Sequence, residues 1–253
     1  MSFDVPAAAY DRFMGRYSAT LSPQLADLAG VAAGMHVLDV GCGSGMLTTE
    51  LVRRVGAESV TAVDPSEAFV EAMRERHPDV DVHRGVAEQL PFAAGEFHAS
   101  LSQLVVHFMT DPVAGLREMA RVTRPGGVVV ASVWDLAGGR SPISPFWLAA
   151  RKVDPDARSE LEVRGGRQGD LQAIFAEAGL RDVSETDLPA AVEHPTFEDW
   201  WGPFTLGVGP AGHWLVAQDA QRQDEGRAVC HDLLGDGPFS IPSYAWAARG
   251  TVA

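Results

Sequence analysis

Lysine is almost missing from this chain. Among 253 residues there is one, Lys152, and 20 Lys and Arg together face 34 Asp and Glu, for a formal net charge of −14. Duplex nucleic acid is held by clustered Lys and Arg that neutralise phosphates. The densest basic group here, Arg158, Arg164 and Arg167, is thin and mixed with acids, so DNA and large RNA are disfavoured as partners. Strong acidity alone serves solubility. Cysteine is scarce too: Cys42 and Cys230 are too few for a disulfide framework. No apolar run approaches the roughly 18 residues that span a bilayer. Residues 1–6 lack a basic start and an apolar h-region, so no secretory leader is expected. The expectation is a cytoplasmic chain without a membrane partner; the sequence carries no signal for its oligomeric state.

What the chain does have is alternation. Strands are expected over residues 35–40, 59–64, 80–84, 97–102 and 127–134, with helices between them over 46–55, 66–77 and 112–122. Ser66 and Asp111-Pro112 are helix-start signals, and Pro78 stops the second helix because the residue before a proline is biased away from helix. This pattern predicts an α/β fold with a doubly wound, mostly parallel sheet. A helix opened by Ser22-Pro23 precedes it. The pattern breaks over 135–167, resumes with a helix from Asp170 closed by Gly179 and a strand over 180–187, and breaks again over 188–236, where residues 214–234 look helical. A last strand is expected over 239–248. One domain, 1–253, with lid insertions at 135–167 and 188–236, is the expected organisation.

The most informative stretch is Val37-Leu38-Asp39-Val40-Gly41-Cys42-Gly43-Ser44-Gly45. It is a buried strand breaking into a glycine turn, and glycines let backbone approach a ligand closely. Asp64, at the tip of the next strand, is placed to take both hydroxyls of a ribose. The dinucleotide fingerprint is G-x-G-x-x-G with a pyrophosphate at the helix N-terminus. Here the spacing is G-x-G-x-G, and Asp39 sits two residues before the first glycine. A carboxylate there would repel a pyrophosphate but suits a ligand bearing an ammonium and a sulfonium.

In these residues the chain resembles the class I S-adenosylmethionine-dependent methyltransferases, in their small-molecule, ubiquinone/menaquinone-methyltransferase-like branch. The resemblance continues through Thr61-Ala62-Val63-Asp64-Pro65-Ser66, through Gly85-Val86-Ala87-Glu88-Gln89-Leu90-Pro91-Phe92 and through Arg124-Pro125-Gly126-Gly127, in family order over roughly residues 7–187. It implies a seven-stranded sheet whose last strand is antiparallel. It implies S-adenosylmethionine as cofactor, S-adenosylhomocysteine as product, and no metal. Gly41, Cys42, Gly43 and Gly45 would lie at the methionine part, with Asp39 acting on the amino group through ordered water. Asp64 would take the ribose, Pro65 and Ser66 would border the adenine, and the Ala87 backbone N–H would bond to it. Gln103 would line the methionine side. Val86 stands where relatives often place an acid, and Glu88 is the neighbour that could substitute. Tyr10 and Arg16, in a segment similar to small-molecule members, are candidates for the cofactor's carboxylate; a surface helix with a solvated arginine is the alternative.

The acceptor would be a small organic molecule whose methylated atom, O, N or C, is open. His107 is the base candidate, a packing histidine being the alternative. Trp147, Trp200 and Trp201 are expected to wall the acceptor pocket, or to form an ordinary core under the lid. No His or Cys pair at ligand spacing suggests a metal. A nicotinamide-dependent oxidoreductase and a non-catalytic cofactor binder on the same fold are the alternatives.

Overall fold

The computed structural model describes residues 10–157 and 160–253; the leader reading on residues 1–6 and the basic residue Arg158 lie outside them. The chain enters through a π-helical turn, Asp11–Gly15, that runs unbroken into α1 (Arg16–Leu28). The expected helix start at Ser22-Pro23 is therefore corrected: Pro23 lies inside α1, and Ser22 Oγ donates to the Ser18 carbonyl at 2.8 Å. An interior proline costs about 3 kcal/mol. Tyr17, Leu21 and Leu25, spaced four apart, are all buried, and at about 1.5–3 kcal/mol each their burial outweighs it.

The expected alternation follows. β1 (Val37–Val40) leads to α2 (Met46–Val55), β2 (Val60–Asp64), α3 (Glu67–Arg76), β3 (Asp81–Arg84), β4 (Phe97–Gln103), α4 (Pro112–Val122) and β5 (Thr123–Trp134). Beyond β5 come α5 (Ser144–Val153), α6 (Asp170–Glu177), β6 (Arg181–Ala190), the two-residue β7 (Glu193–His194) and α7 (Phe197–Trp201). The chain closes with α8 (Gly209–Val216), α9 (Ala220–Leu234), β8 (Phe239–Ser240) and β9 (Ser243–Thr251). Seven strands form one sheet in the order β3-β2-β1-β4-β5-β9-β6, with β9 antiparallel to both neighbours and β1 to β5 parallel. β1 and β2 are buried along their whole length, as parallel strands covered on both faces are, with Asp39, Thr61 and Asp64 the polar exceptions. The strand order reverses between β1 and β4, so the crevice for a ligand opens at their carboxyl ends.

Two late elements differ from expectation. The helical stretch over 214–234 is two helices, because the Asp219 side chain accepts from Arg222 N at 2.9 Å and starts α9 afresh. The last strand is shifted from 239–248 to Ser243–Thr251. Pro242 supplies no N–H to a ladder and separates β8, which pairs with β7, from β9. Among the described residues no helix is long and apolar enough to cross a membrane.

Candidate active site

A cavity of about 430 Å³ opens at the carboxyl ends of β1, β2 and β4. Of the residues singled out in the sequence, Tyr10, Asp39, Gly41, Cys42, Gly43, Asp64, Pro65, Ser66 and Gln103 line it. The turn after β1 needs its glycines. Gly41 has φ +76°, and a Cβ there would meet Val105 Cγ2 at 2.5 Å. Gly43, at φ +52°, faces open space that a side chain would fill. Another part of the wall is fixed by Leu104, a non-glycine at φ +62° whose N–H bonds to the Ser132 carbonyl at 2.9 Å. Such backbone outliers concentrate at functional sites.

The two carboxylates are held differently. Asp64 is buried; its Oδ2 accepts from Gly43 N at 2.9 Å and its Oδ1 from Ser66 N at 2.8 Å. It therefore ties the glycine turn to the start of α3, where Ser66 is the N-cap. Burial raises its pKa, while those two backbone N–H groups hold it down. Asp39 is 1% exposed, and its Oδ2 accepts from Thr48 Oγ1 at 2.6 Å. Its Oδ1 is buried without a partner, and burial pushes its pKa up to about 7. An unpaired buried carboxylate oxygen on a cavity wall is a binding element for a cation.

A second, smaller cavity of about 40 Å³ adjoins through the shared wall residues Tyr10, Leu104 and Phe108. His107 lines it from the 3₁₀ turn Val106–Phe108; its Nδ1 has no partner, and burial pulls its pKa down to about 3. The ring is thus neutral and a weak proton acceptor. Trp134, Phe13, Ile143 and Glu160 complete much of the wall.

Comparison with known proteins bears on what this pair of cavities serves. A family described as methyltransferase domain matches residues 38–131. A demethylmenaquinone methyltransferase of Paenarthrobacter aurescens is 34% identical, over 66% of this chain and 70% of that protein. The chain belongs to the class I S-adenosylmethionine-dependent methyltransferases. An uncharacterised methyltransferase of Mycobacterium bovis is 36% identical over 50% of this chain, which spans about half (49%) of that relative's length. The structure of the YcgJ protein of Bacillus subtilis is alike in fold: TM-score 0.59 at 20% identity, over 91% of this chain and 97% of that one.

Several residues assigned from the sequence stand outside this methyltransferase's cavities. Gly45 packs beneath the turn, where a Cβ would run into Met73 Sδ. Ala87 is buried, and Glu88 Oε1 accepts from Thr110 N at 2.7 Å and Asp111 N at 3.2 Å, at the start of α4. Arg16 donates to Asp199 Oδ2 at 2.6 Å and to the Glu193 carbonyl at 2.7 Å. It joins α1 to β7 and α7.

Trp147, Trp200 and Trp201 are buried in an aromatic cluster built around Phe146 and Phe204, whose rings stack at 4.6 Å, and none lines the two cavities. Trp200 Nε1 donates to the Pro142 carbonyl at 3.2 Å. Sequence reasoning missed Arg84, which lines the larger cavity beside Pro65 and pairs with Glu67 at 2.8 Å, and Glu160 in the smaller one. Glu160 lies in an irregular insertion without period, where only burial distinguishes it from solvated acids. Trp134 carried a signal, being at the carboxyl end of β5.

Proposed function

We propose that this methyltransferase transfers the methyl group of S-adenosylmethionine to a small organic acceptor that enters the smaller cavity. The observation that carries the reading is the shared wall. A cavity with a partnerless buried carboxylate oxygen abuts an apolar one through Tyr10, Leu104 and Phe108. Asp39 is suited to the ammonium of the cofactor, Gly41 and Gly43 to its methionine chain, Asp64 to its ribose hydroxyls. Pro65, Ser66 and Arg84 would border the adenine, with Ala87 and Glu88 shaping that loop from behind. When bound, the cofactor supplies a methyl group on sulfonium, whose carbon–sulfur bond breaks with its electron pair on sulfur as the acceptor atom takes the carbon. The protein's part is to position the two and exclude water.

No metal is needed for this chemistry. Segments 135–167 and 188–236 act as the lid within one domain, and His107 serves as a neutral polar wall. The relative named for demethylmenaquinone, a quinone, favours a ring-bearing apolar acceptor, as does the apolar wall of Phe13, Trp134 and Ile143. Thermal unfolding tests the cofactor assignment. S-adenosylhomocysteine at about 100 times its Kd should add about 2.7 kcal/mol of stability by mass action. For a chain of this size that raises Tm by roughly 5–10 °C, and NAD should leave Tm unchanged. A rise with NAD and none with S-adenosylhomocysteine contradicts the assignment.

A further inference from the structure

The smaller cavity contains one carboxylate and no Lys or Arg among the described residues that line it. Glu160 is 8% exposed, and its Oε2 accepts from Trp147 Nε1 at 3.2 Å. Trp147 is itself buried in the aromatic cluster, so it fixes the carboxyl group in the cavity wall as a positioning residue. A carboxyl removed from water needs hydrogen-bond donors, and one indole N–H leaves most of its acceptor capacity unused. Burial pushes its pKa up to about 7, against the single downward pull of the indole. The other titratable groups in the same wall are Tyr10, whose phenol is pushed far up by burial, and His107, pulled down to about 3. Neither carries a charge near neutral pH, so neither neutralises the carboxylate.

We propose that Glu160 recognises the acceptor by accepting a hydrogen bond from its hydroxyl group and takes up that hydroxyl's proton as the oxygen forms its bond to the methyl carbon and the carbon–sulfur bond breaks; the acceptor is then an apolar molecule bearing that hydroxyl at the atom to be methylated. The inference rests on the proposed methyl transfer, which makes the smaller cavity the acceptor side. A neutral hydroxyl fits better than an ammonium, which has no lone pair to receive a methyl group and would face a sulfonium of like charge. The surrounding Phe13, Trp134 and Ile143 suit a ring or hydrocarbon body around the hydroxyl.

The test uses phenol and its hydroxyl-free counterpart toluene, titrated into the intact protein saturated with S-adenosylhomocysteine. At pH 8, phenol should bind at least about tenfold tighter than toluene, the scale of a hydrogen bond to a charged group. In Glu160→Gln that preference should fall below about threefold with the affinity for S-adenosylhomocysteine intact, because the charge is gone. The wild-type preference should weaken as pH falls from 8 to 6 and the carboxylate takes a proton; the Gln variant should show no such change. Trp147→Phe keeps a ring but removes the N–H, so it should move the midpoint to higher pH, and this arm decides the matter if the Gln variant does not fold. Equal affinity for phenol and toluene, binding of neither, or a preference that survives Glu160→Gln overturns the proposal. Failure of S-adenosylhomocysteine to bind the wild type would instead overturn the cofactor assignment.

Discussion

Asp39 carries opposed demands. Its folded pKa of about 7 lies above the ordinary 3.8 because burial penalises the charge. The native state therefore keeps the proton longer than the unfolded chain, and the contribution of this group to stability falls as pH rises between those two values. Asp39→Asn removes that dependence. In urea unfolding, the variant should gain on the wild type from pH 5 to pH 8. Its affinity for S-adenosylhomocysteine should drop by about 1.5–3 kcal/mol, the range for hydrogen bonds to charged groups. A variant that loses ground at pH 8, or binds the ligand unchanged, refutes the role.

Asp64 is simultaneously a structural tie. Asp64→Ala strands two backbone N–H groups, Gly43 and Ser66, so the free protein should lose about 1–3 kcal/mol in addition to ligand affinity. Unchanged stability in denaturant would show that water replaces the carboxylate at no cost. The placement of Asp64 at a strand tip was legible from the sequence, since a buried apolar run ended on an acid. Its bonds to the glycine turn were not, because they depend on how β1 and β2 register.

At the scale of elements, α1 is latched to β7 and α7. Tyr17 Oη and His194 Nε2 are 2.7 Å apart, His194 Nδ1 and Asp199 Oδ2 2.9 Å, and Arg16 reaches the same carboxylate. Burial lowers the pKa of His194 below its ordinary 6.5, with Asp199 opposing and Arg16 assisting. The unfolded chain then takes up a proton first, so stability held above that pKa is lost as pH falls through it. Wild type should lose more stability between pH 7.5 and pH 5.5 than His194→Gln does. An equal or smaller loss refutes a buried, proton-sensitive latch. Tyr17→Phe, leaving a buried histidine nitrogen unpaired, should cost about 1–3 kcal/mol.

Elements were legible where local signals and burial agreed. α3 and α4 carry N-caps, Ser66 and Asp111, and β1, β2 and the 127–134 part of β5 are mostly apolar stretches between breakers. α1 was obscured because Pro23 sits inside it, and its partners Glu193, His194 and Asp199 are far away in sequence. For the tryptophans both readings, pocket wall and core under the lid, stay open in the sequence, because composition does not distinguish an aromatic cavity lining from an aromatic core; the contacts of Trp147, Trp200 and Trp201 with Phe146, Phe204 and Pro142 are long-range.

Across the whole molecule, the carboxyl ends of the strands line the larger cavity, and the smaller one is lined jointly by the turn leading into α1, the β4 and β5 ends and the segments beyond β5. Motif order made the larger one readable. In the smaller one, Glu160 and Ile143 come from stretches whose sequence has no period and whose positions follow from long-range packing. The central claim is that the cavity at the ends of β1, β2 and β4 binds the cofactor with Asp39 toward its amino group and Asp64 toward its ribose. A crystal structure with S-adenosylhomocysteine tests this most directly. The expected result is Asp64 within hydrogen-bond distance of both ribose hydroxyls, Asp39 facing the amino group directly or through one water, and the sulfur directed toward the wall shared by Tyr10, Leu104 and Phe108. Ligand lying elsewhere, or the sulfur directed away from that wall, would contradict it.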